Sequence, residues 1–223
     1  NSGWLQRPGK AVANDPEQWG RLEAYVKDVV TTFAKDDRIL CWDLYNEPGN
    51  SGYGKASLRL LKEAFAWARS ANPSQPLTVG FWTNIEPLNE LQLAESDIIT
   101  FHNYGDAASL AGDIQRFKAY GRPVICTEWL RRGASEVATH LPLFQQHGVG
   151  CINWGLVSGK TQTIYAWGTE EGAPEPERWF HDLLHPGGTP FDPSPRRPGC
   201  WFDCGPAQWF LESRTPPRTT RDS

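Results

Sequence analysis

The sequence has no methionine, no long apolar run and no strong excess of either charge. Its net charge of −4 gives no reason to expect nucleic-acid binding, because phosphate backbones attract basic surfaces. No apolar run approaches the ~20 residues of a transmembrane helix, so we expect no membrane span. The chain opens on Asn1 without a charged-then-apolar signal segment, so we expect residues upstream. Secreted and cytoplasmic locations both fit.

Cysteine is scarce, with five residues in the chain. Cys41, Cys126 and Cys151 lie in predicted strands, where small buried thiols are expected. Cys200 and Cys204 form a lone C-x3-C pair, which is a poor metal site without a second ligand pair. A disulfide between them stays open. The sequence therefore predicts no metal and no cofactor.

The remaining composition is that of a globular protein. The 223 residues are 39% hydrophobic and 22% charged, which suffices for one well-buried domain. Tryptophan is frequent, at 11 residues. Flat aromatic rings serve both as core residues and as platforms for the apolar faces of sugars, so the count alone does not choose between these roles.

Strand-like and helix-like segments alternate along the chain. Spacing of apolar residues predicts helices over 15–35, 57–71, 89–95, 107–120, 135–146 and 177–185. Apolar runs predict strands over 38–45, 77–82, 97–104, 123–129 and 149–157. Asp15-Pro16 is typical of an N-cap followed by proline at the first helical position. Strands separated by helices favour a parallel sheet built from βα units.

Five βα units fit between residues 38 and 189. A complete eight-fold barrel needs roughly 250 residues, so we interpret 1–189 as the C-terminal five units, strands 4–8, of a (β/α)8 TIM barrel. A doubly wound sheet is the alternative, but it would require a glycine-rich turn after an early strand, which this sequence lacks. Residues 190–223 contain seven prolines and several arginines, and are predicted to be an extended or disordered tail.

The candidate functional residues lie where predicted strands end, because barrel active sites form at that face. The five strands end, in order, in Asn46-Glu47, Phe81-Trp82, His102-Asn103-Tyr104, Glu128-Trp129 and Asn153-Trp154. Two carboxylates at one mouth are what glycoside hydrolysis needs, because one protonates the leaving oxygen while the other attacks the sugar carbon.

Each candidate also has a structural interpretation. A single glutamate at a strand end is more often solvated or a helix cap, and the case for catalysis depends on Glu47 and Glu128 together. His102 and Tyr104 are two residues apart on a strand and point to the same side, so both can reach one carboxylate. We interpret Trp154 as a sugar platform, whereas Trp82 fits a platform and a core residue equally well.

Four motifs, taken in order, resemble those of the clan A glycoside hydrolases, and the family 5 cellulase-like enzymes in particular. The motifs are Trp42-Asp-Leu-Tyr-Asn-Glu-Pro48, Phe101-His-Asn-Tyr-Gly105, Thr127-Glu-Trp129 and Asn153-Trp154. The resemblance places them on strands four, six, seven and eight of that family's barrel. The arginine and histidine that the family uses on strands two and three lie outside this chain.

The resemblance implies a role for each residue. Glu47 would be the general acid/base and Glu128 the nucleophile. Asn46 would bind the sugar 2-hydroxyl, His102 and Tyr104 would orient the carboxylates, and Trp154 would form the floor of the subsite for the cleaved sugar. These roles imply a retaining glycosidase that acts on a β-linked oligo- or polysaccharide.

Two other function classes remain. One is a carbohydrate-binding or degenerate barrel without turnover, and the other is a structural βα scaffold, which leaves the polar mouth unexplained. Cellulose, mannan, xylan and smaller β-glycosides all fit as substrates, because the loops that shape the outer subsites vary freely on one scaffold. The sequence specifies neither endo nor exo action, nor an oligomeric state.

Overall fold

Strands and helices alternate in the computed structural model, which describes residues 8–192. The strands are β1 Trp42–Asp43, β2 Leu77–Thr78, β3 Ile99–His102, β4 Val124–Glu128 and β5 Gly150–Cys151. The α-helices are α1 Lys10–Ala13, α2 Gly20–Thr32, α3 Ser57–Ser70, α4 Glu86–Glu95, α5 Ala107–Lys118 and α6 Val137–His147. This alternation confirms the predicted α/β class. Among the helices of this range, none is long and apolar enough to cross a membrane.

The five strands run parallel and in sequence order. β1 pairs with β2, and β3, β4 and β5 form a second ladder. The ladders meet where Phe81 pairs with Phe101, and the His102 N–H donates to the Phe81 carbonyl at 2.7 Å. Within residues 8–192, β1 and β5 do not pair with each other, so the strands form an open sheet. Their identity as strands 4–8 of a barrel stays a prediction.

The strands are shorter than predicted. β4, which pairs on both sides, has five residues, whereas β1 and β5 pair on one side and have two each. Single backbone hydrogen bonds continue the β5 ladder irregularly, from Ile152 to Cys126 and from Trp154 to Trp129. A strand edge without a partner has no neighbouring backbone to hold it in regular register.

Most of the predicted helices are present, with shifted ends. α4 begins three residues early at Glu86, because Pro87 near its start has a backbone angle suited to a first helical turn. Before α2, the Asp15 carboxylate accepts a hydrogen bond from the Glu17 N–H at 3.2 Å, as predicted for an N-cap. The capped segment is a short 3-10 turn, and α2 itself begins at Gly20.

The predicted helix over 177–185 is wrong. Its backbone N–H groups donate across to an earlier segment, from Phe180 to Ile164 and from Leu183 to Leu156. His181 and Asp182, in the middle of the segment, are both fully buried. The segment is therefore irregular and packs through several successive side chains.

Two apolar groups hold the helices on the sheet. α2 and α3 cover β1 and β2 through a cluster that includes Val30, Leu61, Phe65 and Leu77. Around β3, three aromatic rings pack at 5.0–5.1 Å between centroids, namely Phe81, Phe101 and Phe117. This packing fixes the strands whose ends carry the candidate site.

The chain divides into a unit Asn1–Phe191, which holds every element above, and a unit Asp192–Ser223. Residues 193–223 lie outside the described range, so the predicted tail and Cys200 and Cys204 remain predictions. The other three cysteines are free thiols, with Cys126 buried and Cys41 and Cys151 partly buried. Burial raises the pKa of Cys126 well above its usual value, so this thiol stays protonated and unreactive.

Candidate active site

Three polar side chains converge at the ends of the strands. His102 ends β3 and Glu128 ends β4, while Glu47 follows β1. The His102 Nδ1 atom lies 2.9 Å from Glu47 Oε1 and 3.4 Å from Glu128 Oε2. One ligand atom from each of the three residues lies within 4.8 Å of the others. The structure therefore brings the two predicted carboxylates and the predicted histidine into one cluster.

The cluster is largely enclosed by protein. The side chain of His102 is 3% exposed, and those of Glu47 and Glu128 are each 14% exposed. Opposed carboxylates at this depth interact more strongly than in water, because fewer water dipoles screen them. Two such groups favour sharing one proton over both being ionised.

Tyr104 forms a hydrogen bond with Glu128. Its hydroxyl donates to Glu128 Oε2 at 2.8 Å, as the two-residue spacing from His102 had predicted. Burial, then the charge of Glu128, raises the pKa of Tyr104 far above its usual value, so the hydroxyl keeps its proton and remains a donor. Such a donor stabilises an ionised carboxylate.

Opposing effects act on the Glu128 carboxyl. Burial raises its pKa, while His102 and the hydrogen bond from Tyr104 lower it, and the neighbouring Glu47 raises it again. The net direction is upward.

Glu47 is held in a loop with uncommon backbone geometry. Its φ of +47° lies in the left-handed region, which costs a residue with a side chain about 1 kcal/mol or more. Asn50 stabilises the turn, because its N–H donates to the Glu47 carbonyl at 3.0 Å and its side-chain amide donates to Glu47 Oε2. Trp82 supports the same loop by donating from Nε1 to the Pro48 carbonyl at 2.8 Å.

A further carboxylate, Asp43 on β1, belongs to this surface and was not among the predicted site residues. Its side chain reaches solvent, yet surrounding protein raises its pKa to about 6, while the charge of His102 and hydrogen bonds from the Tyr45 and Gly80 N–H groups lower it. Glu128 acts on it in the raising direction. Its position four residues before Glu47, on the strand leading to it, was the available sequence signal.

Gly80 allows His102 to take its position. A Cβ placed on Gly80 would lie 2.9 Å from His102 Nε2, closer than real side chains pack. The glycine therefore provides space for the ring that contacts both carboxylates. Such a close approach is a common reason for glycine at a position without room for a side chain.

Three further residues were predicted to belong to the site: Asn46, Trp82 and Trp154. Asn46 is exposed beside Glu47, and Trp154 is half-buried after β5. Trp82 is half-buried and contacts the Glu47 loop, which gives it a structural hydrogen bond. Their predicted roles in sugar binding stay predictions.

Trp129 anchors the end of β4 directly after Glu128. Its ring stacks on that of His140 at 5.8 Å with 9° between the planes, and it packs edge-on against Phe144 at 5.2 Å. Both partners lie in α6. This helix therefore fixes the backbone from which Glu128 projects.

By distance alone, Glu47, His102 and Glu128 could ligate a divalent cation. Glu128 Oε2 already accepts a hydrogen bond from Tyr104, and His102 Nδ1 lies between the two carboxylates. A hydrogen-bonded pair of acids accounts for the same geometry. The arrangement suits proton transfer combined with nucleophilic attack at one carbon.

Comparison with known families gives one match. The family model described as Cellulase (glycosyl hydrolase family 5) matches residues 2–159. A search of the curated proteins found no match.

Three solved structures show the likeness of fold. The glycosylated family 10 endo-β-1,4-xylanase from Gloeophyllum trabeum has 18% identity and a TM-score of 0.57, over 84% of this chain and 69% of that one. The β-glucuronidase from Ruminococcus gnavus in complex with D-glucaro-1,5-lactone has 19% identity and a TM-score of 0.56, over 78% and 34%. A psychrophilic family 10 endo-β-1,4-xylanase has 15% identity and a TM-score of 0.53, over 82% and 69%. This chain therefore spans about a third of the β-glucuronidase.

Proposed function

Because this chain belongs to glycosyl hydrolase family 5, the cellulase family, we propose that it hydrolyses a β-linked oligo- or polysaccharide with retention of configuration. Glu47 is the general acid/base and Glu128 is the nucleophile in this proposal. The observation that carries it is the approach of two carboxylates from different strands, with His102 Nδ1 between them. Retaining enzymes hold their carboxyl groups about 5–5.5 Å apart, whereas inverting enzymes need about 6.5–9.5 Å to admit a water.

The first step forms a glycosyl-enzyme. A Glu128 carboxylate oxygen attacks the anomeric carbon and forms a C–O bond, while the glycosidic C–O bond breaks and Glu47 transfers its proton to the leaving oxygen. In the second step, Glu47 takes a proton from water, whose oxygen attacks the anomeric carbon. The ester bond to Glu128 breaks, and both glutamates return to their starting states.

Tyr104 and His102 support the assignment of Glu128 as the nucleophile and Glu47 as the general acid/base. The Tyr104 hydroxyl donates to Glu128 and stabilises the charge that a nucleophile needs. The raised pKa of Glu128, taken alone, would favour this residue as the proton donor instead. We assign it as the nucleophile because of the tyrosine donor and the family resemblance of the Thr127-Glu-Trp129 motif.

The proposal extends to the fold. We assign β1–β5 to strands 4–8 of a (β/α)8 barrel, on the order of their motifs and on the partial likeness to barrel glycosidases. In that assignment Asn46 and Trp154 face the sugar bound at the mouth, and Trp82 lies at its margin.

Replacement of Glu47 tests the acid/base assignment. We expect Glu47→Ala to lower kcat at least hundredfold on substrates with poor leaving groups, because these depend on protonation. Substrates with good leaving groups should lose much less in the first step. Azide should restore turnover by attacking the glycosyl-enzyme without a general base, giving a β-glycosyl azide that NMR detects.

Two outcomes would contradict the assignment. One is an equal loss on all leaving groups with no azide product. The other is oligosaccharide binding by the unaltered protein without release of reducing ends, which would favour the alternative of a carbohydrate-binding protein without turnover. A chelator should leave activity unchanged, because every proposed step uses only the two carboxylates and water.

A further inference from the structure

Trp167 is a half-exposed aromatic residue whose ring packs against Tyr104, the tyrosine that donates to Glu128. It lies in the irregular segment after β5, outside the residues that the family model matches, and 45% of its surface is exposed. Three rings hold it in place: Tyr104 at 5.0 Å, Phe180 at 5.1 Å and His181 at 5.4 Å between centroids. An indole fixed in this way loses little conformational freedom when a ligand packs against its open part.

Its position is tied to the proposed nucleophile. The Tyr104 ring that meets Trp167 edge-on belongs to the same side chain that donates to Glu128. One side chain therefore separates Trp167 from Glu128. A glycan bound at the carboxylates would place a neighbouring sugar within reach of the indole.

Arg131 adds a positive charge to this surface. It follows Glu128 by three residues, and its guanidinium carbon lies over the Trp167 ring, 5.9 Å from the centroid. Within residues 8–192, no carboxylate forms an ion pair with Arg131. Arg132 differs, because it donates to the Trp179 carbonyl and stacks over Phe191.

The backbone presents Arg131 rigidly. Its N–H donates to Ser135 Oγ at 2.6 Å, and the preceding residue, Leu130, is fully buried with a φ of +75°. The Leu130 carbonyl accepts a hydrogen bond from His181 Nδ1 at 2.6 Å. Strained backbone that its surroundings hold in this way is concentrated at functional sites.

The charged residues around Trp167 limit which ligands this surface can bind. Glu47, Glu128 and Asp43 make the mouth acidic, so an anionic ligand is repelled unless a cation offsets that charge. Arg131 places a cation over the Trp167 ring, and a guanidinium binds a carboxylate through two parallel hydrogen bonds. His181 does not add a second cation, because burial lowers its pKa to about 4.

We propose that Trp167 and Arg131 form a glycan subsite that binds a sugar bearing a carboxylate, a uronate, next to the bond that is cleaved. The indole packs against the C–H face of the sugar, and the guanidinium pairs with its carboxylate. The inference rests on the proposed glycosidase function, since the glycan must also reach the two glutamates.

Binding measured without turnover tests the subsite. The full chain with Glu128→Gln is titrated calorimetrically with two pairs of ligands: a xylo-oligosaccharide with and without a glucuronate substituent, and a cello-oligosaccharide with and without oxidation at C6. We expect the uronate form of at least one pair to bind about tenfold more tightly, as a charge-assisted hydrogen-bonded pair predicts. High salt should reduce this preference.

Substitutions test whether Arg131 and Trp167 cause the preference for the uronate ligand. In the same background, Arg131→Gln should remove the preference and leave the neutral ligand bound within twofold. Trp167→Ala should weaken both ligands about tenfold. Arg116→Gln is the matched control, because that arginine also lies over a ring, Phe117 at 5.0 Å, but on α5. It should change neither affinity.

The outcomes separate this inference from the proposed function. An unchanged preference in Arg131→Gln, equal binding within both pairs, or no binding of any ligand would overturn the subsite. If the preference depends on Arg131 while the unaltered protein hydrolyses none of the four glycans, the subsite stands and the hydrolase proposal fails. If the unaltered protein hydrolyses the glycans while Arg131→Gln binds both forms as before, the hydrolase proposal stands and the subsite fails.

Discussion

His102 connects the two proposed catalytic acids through a single atom. Its Nδ1 lies 2.9 Å from one carboxylate and 3.4 Å from the other, so a small rotation of the ring changes both distances. The ring is 3% exposed and has Gly80 against its far side. The position of this ring therefore sets the contacts that His102 makes with both carboxylates.

Gly80→Ala should disturb the site without unfolding the protein. The added methyl group would lie 2.9 Å from His102 Nε2, so the ring must move. We expect kcat to fall about tenfold to hundredfold, because small displacements of catalytic groups carry costs of that size. Kinetics and thermal unfolding, measured on the same preparation, check this.

Gly112→Ala is the matched control for that substitution. Gly112 lies within α5, and a Cβ added there meets nothing within 4 Å. We expect unchanged kcat and a gain of up to about 1 kcal/mol in the free energy of unfolding, from helix propensity. Equal activity of the two alanine variants would contradict the role given to Gly80.

The sequence could predict those site residues that have a side chain suited to catalysis and also lie at the end of a predicted strand. Glu47, His102, Tyr104 and Glu128 lie at strand ends, and the structure places them in contact. Asp43 was missed because an acidic residue on a strand does not reveal from sequence which face it takes or what surrounds it.

The spacing of apolar residues predicted the helices more accurately than the strands. Helices such as α3 and α5 match their predictions closely, because a one-sided apolar stripe reflects packing against one sheet face. The strands were overpredicted, because an apolar run does not show where a neighbouring strand stops. The segment 177–185 was predicted as a helix because sequence does not show that its N–H groups bond to residues far along the chain.

The strand order predicts a gradient of hydrogen exchange. β4 pairs on both sides, whereas β1 and β5 each pair on one, and exposed apolar side chains flank both edges, such as Leu40 and Ile152. We expect the amide of Ile152, which donates to β4, and those of β1 to exchange faster than those of β3 and β4. Exchange followed by NMR or mass spectrometry measures this.

Protection of β1 and β5 equal to that of β4 would contradict an open sheet. It would mean that both edges have partners beyond the pairs described, as a closed barrel would provide. The same experiment therefore bears on the proposed assignment of β1–β5 to strands 4–8.

The stability of the whole chain should depend on pH through its shifted groups. Folding raises the pKa of Asp43 to about 6 from 3.8, so its contribution is fully present below pH 3.8 and lost as the pH rises through 6. Glu128 acts in the same direction. His181, whose pKa is lowered to about 4, acts oppositely, because its contribution is present above pH 6.5 and lost as the pH falls through 4.

Asp43→Asn isolates one of these contributions. A shift of about two units corresponds to about 3 kcal/mol, and solvent contact reduces this to about 1 kcal/mol. Relative to the unaltered protein, the variant should gain that amount in free energy of unfolding between pH 4 and pH 7. Urea denaturation at both pH values gives the difference, and a difference that does not change with pH would contradict the raised pKa.

Trapping of the glycosyl-enzyme tests the central claim most directly. A 2-deoxy-2-fluoro β-glycoside with a good leaving group slows the second step more than the first, so a covalent intermediate accumulates. Mass spectrometry of the intact chain and then of its peptides should find one sugar, attached to Glu128, with Glu128→Gln unlabelled and Glu47→Ala still labelled. A label on Glu47, or a product of inverted configuration, would contradict the account.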